Sequence, residues 1–282
     1  MNGDLISVII VTWNNEDDIN DCITSIFEQN NNEIEIVCID NNSTDKTKEF
    51  IRNYISTKNN ITLIENSENT GFTFATNQGI AASKGDFIFL LNPDTILKQN
   101  SLYNLYKEIK GGKEKAVVPM ILNEDGSIQE SCRNLPGYRD IFFEIFLISR
   151  IFPKSKFFSR WKNKYFDYNN SQYAEQPMAA AFLIEKGTLN LVGNFDSRYY
   201  MFFNDVDLCK KLFDKKINIK YLKEAMVIHK KGTSIFRDRK NMISIWNKDC
   251  LRYFEKFYGK TLNWYILLVL LKITGFFRKL FA

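Results

Sequence analysis

Short apolar runs alternate with amphipathic stretches over the first hundred residues, and this alternation restricts the possible folds more than any other feature of the chain. Leu5-Ile6-Ser7-Val8-Ile9-Ile10-Val11 is a nearly continuous, β-branched apolar run, which predicts a strand buried on both faces. A helical stripe follows over Glu16–Glu28, with Ile19, Cys22, Ile23, Ile26 and Phe27 on one side. Ile34–Ile39 predicts a second strand ending at Asp40, and Ser43 or Thr44 is placed to cap a helix running to about Ile55. Ile61–Ile64, Thr73–Ser83 and Phe87–Leu91 continue as strand, helix and strand. This order predicts an α/β fold with a mainly parallel sheet and helices on both faces.

Ligands of such sheets gather outside the carboxyl ends of the strands. Those ends carry Thr12-Trp13-Asn14, Asp40-Asn41-Asn42-Ser43 and Asn92-Pro93-Asp94-Thr95. Any one of these loops reads as a turn, because Asn, Asp, Ser and Pro are what turns require. Three polar loops at one sheet edge point instead to a ligand site. Neither a GxGxxG nor a P-loop follows the first strand, so the usual phosphate cradles are missing from the sequence. A nucleotide can still bind if Asp40 hydrogen-bonds its base or ribose and a cation near Asp94 neutralises its phosphates.

Composition narrows the chemistry. The net charge of +5 is too small to argue for nucleic acid, though local basic patches can meet phosphate or anionic lipid. His229 is the only histidine, which excludes His-rich metal cages and leaves carboxylates to carry most of any catalysis. The five cysteines are scattered without a CxxC and read as buried thiols in a reducing compartment. The first residues lack the basic and apolar pattern of a signal peptide, so a cytoplasmic location is expected.

The second half differs in character. Ala116–Leu122 predicts a strand, and Asn123-Glu124-Asp125-Gly126 a turn into a returning strand at Ser127-Ile128-Gln129. Residues 141–166 are rich in Phe, Ile, Lys and Arg, and are expected to be helical in parts with a break at Pro153. Met178–Ile184 and Lys220–Ile228 read as strands, Asp205–Lys216 and Ser244–Tyr258 as helices. The apolar run Trp264–Leu271 rises only about 12 Å as a helix, short of a ~30 Å hydrocarbon core. It is either a packing helix or an interfacial anchor with aromatic and cationic flanks.

Several blocks in order resemble the family 2 glycosyltransferases, and more narrowly the rhamnosyltransferase-like branch that builds bacterial surface polysaccharides. They are Ser7–Asn14, Ile39–Asp45, Asn69-Thr70-Gly71-Phe72 with Asn77-Gln78-Gly79, and Leu91-Asn92-Pro93-Asp94. Asp125–Arg133, Gly193–Asp196, Phe203–Cys209 and His229–Ser234 complete the set, which spans roughly residues 5 to 255. The resemblance implies a GT-A, Rossmann-like fold with a helical C-terminal extension. It implies donor binding over residues 1–115, acceptor binding and catalysis over 116–240, and helices over 241–282 that form a possible membrane-surface anchor.

The implied reaction moves a sugar from a nucleotide diphosphate sugar to an acceptor hydroxyl with inversion. Thymidine diphosphate rhamnose and uridine diphosphate sugars are the expected donors, and a polyprenyl-diphosphate-linked glycan the expected acceptor. The expected location is the inner face of the cell membrane. Thr12, Trp13, Asn14, Asp40, Asn41, Ser43, Gly71, Phe72, Asn77 and Asn92 are implied as donor contacts. Asp205 is implied as the general base and Asp94 with His229 as ligands of Mn²⁺ or Mg²⁺. Asn204, Lys230, Lys231, Arg237 and Arg239 are implied at an acceptor or diphosphate loop, although the basic run also reads as a solvated loop.

Two positions depart from the family pattern. Asn204 stands where Glu is usual, and Asn92 opens a motif that usually begins with a carboxylate. These departures leave open a non-catalytic sugar-nucleotide-binding or assembly protein. A sugar nucleotidyltransferase would want a Gly-rich basic loop after the first strand, and Thr12-Trp13-Asn14-Asn15 is neither Gly-rich nor basic.

Overall fold

The computed structural model of the protein describes residues 5–29, 33–230 and 239–280. Its first part comprises β1 (Ile6–Thr12), α1 (Ile19–Phe27), β2 (Ile34–Asp40), α2 (Thr47–Ile55), β3 (Ile61–Glu65), α3 (Phe72–Ala82) and β4 (Phe87–Leu91). Then follow β5 (Thr95–Leu97), α4 (Ser101–Lys110), β6 (Ala116–Leu122), β7 (Cys132–Arg133), α5 (Tyr138–Ile145) and α6 (Ile148–Ile151). The chain continues through β8 (Gln172–Ala174), β9 (Gln176–Pro177), β10 (Ala181–Glu185), α7 (Lys186–Val192) and α8 (Asn204–Asp214). It closes with β11 (Ile219–His229), α9 (Arg239–Tyr258) and α10 (Leu262–Leu280).

The main sheet has the strand order β3-β2-β1-β4-β10-β6-β11-β5, with β8 pairing to β11. β1, β2, β3 and β4 are parallel, as the alternating sequence predicts. β10 then enters antiparallel between β4 and β6 and makes the sheet mixed. Every residue of β1 is buried, and its side chains divide by parity as a pleated strand requires. Ile6, Val8 and Ile10 join Ile19, Ile23 and Ile26 of α1 in one apolar layer. Ile9 and Val11 face the other layer, with Ala75 and Ile80 of α3 and Leu208 and Leu212 of α8. α3 sits close because Gly79 has no side chain: a Cβ there would lie 2.5 Å from Ile9 Cγ2 and 2.7 Å from Ile39 Cδ1. Overpacking of that kind typically costs about 1–3 kcal/mol.

Several boundaries differ from the sequence expectation for local reasons. α2 starts at Thr47 rather than at a Ser43 or Thr44 cap, because Ser43 Oγ accepts the Asn14 N–H while Asp45 Oδ1 accepts the Thr47 N–H. The expected strand 178–184 is shortened to β10, which starts at Ala181, because Met178 N–H bonds Ser131 O and Asn92 N–H bonds Ala180 O ahead of it. The returning strand after β6 reduces to one bridge, Leu122 to Ile128. α9 begins five residues before Ser244. All five cysteines are buried and unpaired, and burial pushes the Cys22 and Cys132 thiols up to about 12. Among the described residues no helix is long and apolar enough to cross a membrane.

Candidate active site

The carboxyl ends of β1, β2 and β4 open into a cavity of about 760 Å³. Thr12, Trp13, Asn41, Gly71, Phe72, Asn92 and Asp94 line it from the first half, and Asn204, Asp205 and His229 from the second. The structure therefore brings together residues more than two hundred positions apart. Arg133, Trp161 and Gln176 also line it, and so do Asn241, Met242 and Trp246 of α9. α9 is thus part of the cavity wall, and a boundary at residue 240 cuts through the site.

Asp205 stands in the first turn of α8, half-buried at the cavity wall. Its Oδ1 accepts the Val206 N–H at 2.8 Å and its Oδ2 accepts Gln176 Nε2–H at 3.1 Å. Gln176 is delivered by the short ribbon of β7 and β9, in which it pairs with Arg133. The Arg133 guanidinium lies 5.4 Å from the Trp161 ring centroid. Burial raises the Asp205 carboxyl above the usual carboxylate range, and the nearby Arg133 charge opposes that rise. A carboxylate raised in this way is a stronger base than a solvated one, as a proton acceptor should be.

The loop ahead of Asp205 is held by a carboxylate that the sequence did not single out. Asp249 of α9 is fully buried and accepts the Tyr200, Met201 and Phe202 N–H groups at 3.4, 3.2 and 3.1 Å. Asn204 Nδ2 donates to Met201 O and tightens the same turn. Asp207 faces away and pairs with Lys256 at 2.6 Å and Lys211 at 3.4 Å. Tyr200 in turn reaches the start of α3, where Phe72 N–H bonds its carbonyl. Gly71, at φ +84°, is required there, because a Cβ would lie 2.8 Å from Tyr200 O.

His229 reaches the site through sheet register. β11 pairs antiparallel with β5 so that His229 faces Thr95, one residue beyond Asp94. His229 Nε2 then lies 3.4 Å from Asp94 Oδ1, and Asn92 Nδ2 lies 3.5 Å from the same nitrogen. Gln129 fixes the ring. Its Nε2 donates to Asn123 Oδ1 and His229 O, so its Oε1 is left to accept from His229 Nδ1 at 2.8 Å. An N–H therefore sits on Nδ1, and Nε2 is the ring nitrogen that faces Asp94. A carboxylate and an imidazole lone pair facing each other suit a divalent cation, with Asn92 as a third oxygen if its amide is reversed. Among the described residues no group of three or more His, Cys, Asp or Glu gathers around one point, so such a cation would draw its remaining ligands from substrate and water.

The Gln129 contact makes a direct prediction. Because the chain has one histidine, a long-range ¹H–¹⁵N spectrum contains a single imidazole. It should show the Nδ1–H tautomer in the native chain and a mixture in Gln129→Leu. An Nε2–H ring in the native chain would contradict the assignment.

Several expected contacts lie elsewhere. Asn14 accepts the Thr44 N–H at 2.8 Å and Ser43 accepts from Asn14, so both staple the first two loops together and do not line the cavity. Asn77 spends both ends of its amide on the Phe195 main chain, at 2.8 and 3.2 Å. Asp40 is buried behind the cavity wall, with Oδ2 on the Ser43 N–H and Oδ1 without a hydrogen-bond partner among the described residues. Lys230 turns to α1, 2.9 Å from Asp21 and 3.4 Å from Asp18. Arg239 is exposed at the start of α9, outside the lining. Lys231 and Arg237 fall outside the described residues.

Comparison with known proteins places this geometry. The sequence model of the family described as "Glycosyl transferase family 2" matches residues 7–171, more than half of the chain. A relative, Glycosyltransferase GlyG of Streptococcus pneumoniae serotype 4, is 24% identical over 90% of this chain and 79% of its own length. An N-acetylglucosaminyl-diphospho-decaprenol L-rhamnosyltransferase of Mycobacterium tuberculosis is 23% identical over 87% of this chain and 82% of its own. A mannosyltransferase from Pyrobaculum calidifontis, solved with GDP-Man and Mn²⁺, superposes with a TM-score of 0.60 at 16% identity, covering 97% of this chain and 71% of that one. Likeness at that identity shows the fold, which is the GT-A architecture.

Proposed function

The chain belongs to glycosyl transferase family 2, and on that premise we propose that it is an inverting transferase. It moves a sugar from a nucleotide diphosphate sugar to a hydroxyl of a glycan acceptor in bacterial cell-surface polysaccharide synthesis. The observation that carries this reading is one cavity holding both the burial-raised Asp205 carboxylate and the Asp94–His229 pair. Thymidine diphosphate rhamnose and uridine diphosphate sugars are the proposed donors. The acceptor is proposed to be linked to polyprenyl diphosphate and met at the cytoplasmic face of the membrane. The mycobacterial relative, whose name specifies a decaprenol diphosphate acceptor, supports that choice.

In this reading an Asp205 oxygen takes the proton of the acceptor hydroxyl as that oxygen attacks the anomeric carbon. Attack on the face opposite the leaving group breaks the bond from carbon to diphosphate oxygen, and the diphosphate keeps the electron pair. Gln176 holds the Asp205 carboxylate in place, and Arg133 adds a positive charge beside it. Trp161, Phe203 and Trp246 form an aromatic wall suited to a sugar's apolar face, with Phe203 edge-on to Trp246 at 5.5 Å. Asp94 and His229 would hold Mn²⁺ or Mg²⁺, which when bound supplies Lewis-acid stabilisation of the departing diphosphate. The Mn²⁺ complex of the mannosyltransferase neighbour supports that cofactor. On the donor side Trp13, Asn41, Gly71 and Phe72 are proposed to cradle the nucleotide. Asp40 is fully buried and does not line the cavity, so it is left out of that cradle.

A thermal-shift screen of nucleotide diphosphate sugars, with and without Mn²⁺, tests the reading. At a hundred times Kd a ligand stabilises by about 2.7 kcal/mol, a rise in Tm of roughly 5 °C for a chain of this size. The matching donor should give such a rise only with the cation. If no sugar nucleotide moves the transition under either condition, the reading is lost.

A further inference from the structure

We propose that the outward face of α10, with the exposed apolar turns after α5, is a docking surface for an anionic lipid bilayer. This rests on the reading of a lipid-linked acceptor given above, but its observations are separate. The inward face of α10 is fixed. Trp264, Leu267 and Leu271 are buried against the body, Trp264 Nε1–H bonds Leu251 O, and Asn247 Nδ2–H bonds Leu271 O. Gly275 passes so close to α9 that a Cβ would meet Asn247 Nδ2 at 2.6 Å. With the rotation set, Tyr265, Ile266, Val269, Ile273, Phe276 and Leu280 all point out, within an arc of roughly 120°. Ile273 is 50% exposed and Phe276 63%, on a helix about 28 Å long. An apolar stripe of that length facing water marks a contact surface.

The surface continues beyond the helix. α10 packs on α5, and the chain after α5 exposes Leu147, Ile151 and Phe152. Arg150 lies close enough to Arg278 for its charge to act on that guanidinium. Charge selects the occupant. From Lys256 to Ala282 the sequence has Lys and Arg but no Asp or Glu, and the same holds from Ile145 to Phe166. Lys272 and Lys279 therefore edge the helix stripe and Arg150, Lys154 and Lys156 the adjoining turns, which suits anionic headgroups around an apolar face. A second copy of the chain would set this cationic edge against itself. The inward side of the same helix reaches the cavity wall, because Arg278 stacks 5.6 Å from the centroid of Trp246, a cavity-lining residue. A sugar diphosphate anchored in the bilayer would thus arrive beside the cavity wall.

Flotation of the full chain with phosphatidylcholine vesicles, and with vesicles that also contain phosphatidylglycerol, tests the proposal. Partition onto the anionic vesicles should exceed that onto neutral ones by about tenfold or more and fall with salt. Ile273→Glu with Phe276→Glu should lose about tenfold or more of it, and Lys272→Glu with Lys279→Glu should remove the anionic preference. All four side chains lie outside the packed face of α10, and light scattering should find the native chain monomeric. Equal partition of native and variant chains would overturn the proposal. So would a native dimer that the Glu pair dissociates without any vesicle binding, which would assign the face to a second copy. The donor-induced thermal shift reports on the transferase reading separately. Vesicle binding without that shift would leave the surface standing and remove the chemistry, and the reverse result would remove the surface alone.

Discussion

Asp205→Asn should lower kcat by about 10²–10⁴-fold while leaving sugar nucleotide binding intact, because the amide keeps the shape of the carboxylate and loses only its basicity. A steady-state assay of nucleoside diphosphate release, alongside calorimetric titration of the donor, separates the two quantities. A fall in donor affinity equal to the fall in rate would show that the residue binds and does not take the proton. The same substitution should raise Tm at neutral pH. Burial lifts the folded carboxyl above its ordinary value of 3.8, so the folded state holds this proton more tightly than the unfolded one. The stability gained from the neutral acid is complete below the ordinary value and is lost as pH rises through the raised one. Asn cannot ionise, so its advantage should appear across that window and vanish at the acid end. In the native chain, activity should decline as pH falls through the raised value, since the base must be ionised to act.

The second large effect is expected at Asp94. Asp94→Ala removes the carboxylate that faces His229 Nε2 at 3.4 Å. Loss of several kcal/mol of charge stabilisation at the leaving diphosphate corresponds to about 10³-fold or more in kcat/KM. Electron paramagnetic resonance of Mn²⁺ titrated into the chain with a nucleoside diphosphate gives a readout independent of turnover. Binding should be present in the native chain and at least about tenfold weaker in the variant. Unchanged Mn²⁺ affinity would remove Asp94 from the proposed metal site. The Asn92 departure makes this test sharper, because no second carboxylate of that motif is present to compensate.

How far the sequence carried the fold is clearest in β1. Its nearly continuous apolar run announced burial on both faces, and the structure divides Ile6, Val8 and Ile10 from Ile9 and Val11 by parity. The parallel order of β1 to β4 followed from the intervening helices, because parallel neighbours need crossovers. The antiparallel entry of β10 was not legible, since nothing local to Ala181–Glu185 states its partner.

The site divides in the same way. Polar loops at the strand ends were visible as sequence, and Thr12, Trp13, Asn41, Asn92 and Asp94 do meet in one cavity. Asn14 and Ser43 share the residue types and the loops of that group, and Asn77 the residue type from within α3, yet their side chains are used to tie chain segments together. Residue type cannot tell a ligand contact from a loop staple, because both need the same hydrogen-bonding groups. The supporting residues were hidden for a related reason. Gln129, Gln176 and Asp249 act through partners 100, 29 and about 48 positions away, brought near by sheet register and helix packing. Gln129 and Arg133 do stand inside a block that resembles the family, Asp125–Arg133, and that resemblance is the sequence signal for both. The basic run after His229 illustrates the limit from the other side. Lys230 carries the charge expected of a diphosphate loop, but two aspartates of α1 claim it.

The central claim is direct displacement at the anomeric carbon with Asp205 as base, and the stereochemistry of the product tests it most directly. The native chain should be incubated with the donor found by thermal shift, Mn²⁺ and an acceptor, and the new glycosidic bond read by its anomeric proton coupling. The account predicts a configuration opposite to that of the donor, formed in step with nucleoside diphosphate release and lost in Asp205→Asn. Retention of the donor's configuration, or undiminished transfer by the Asn variant, would contradict it.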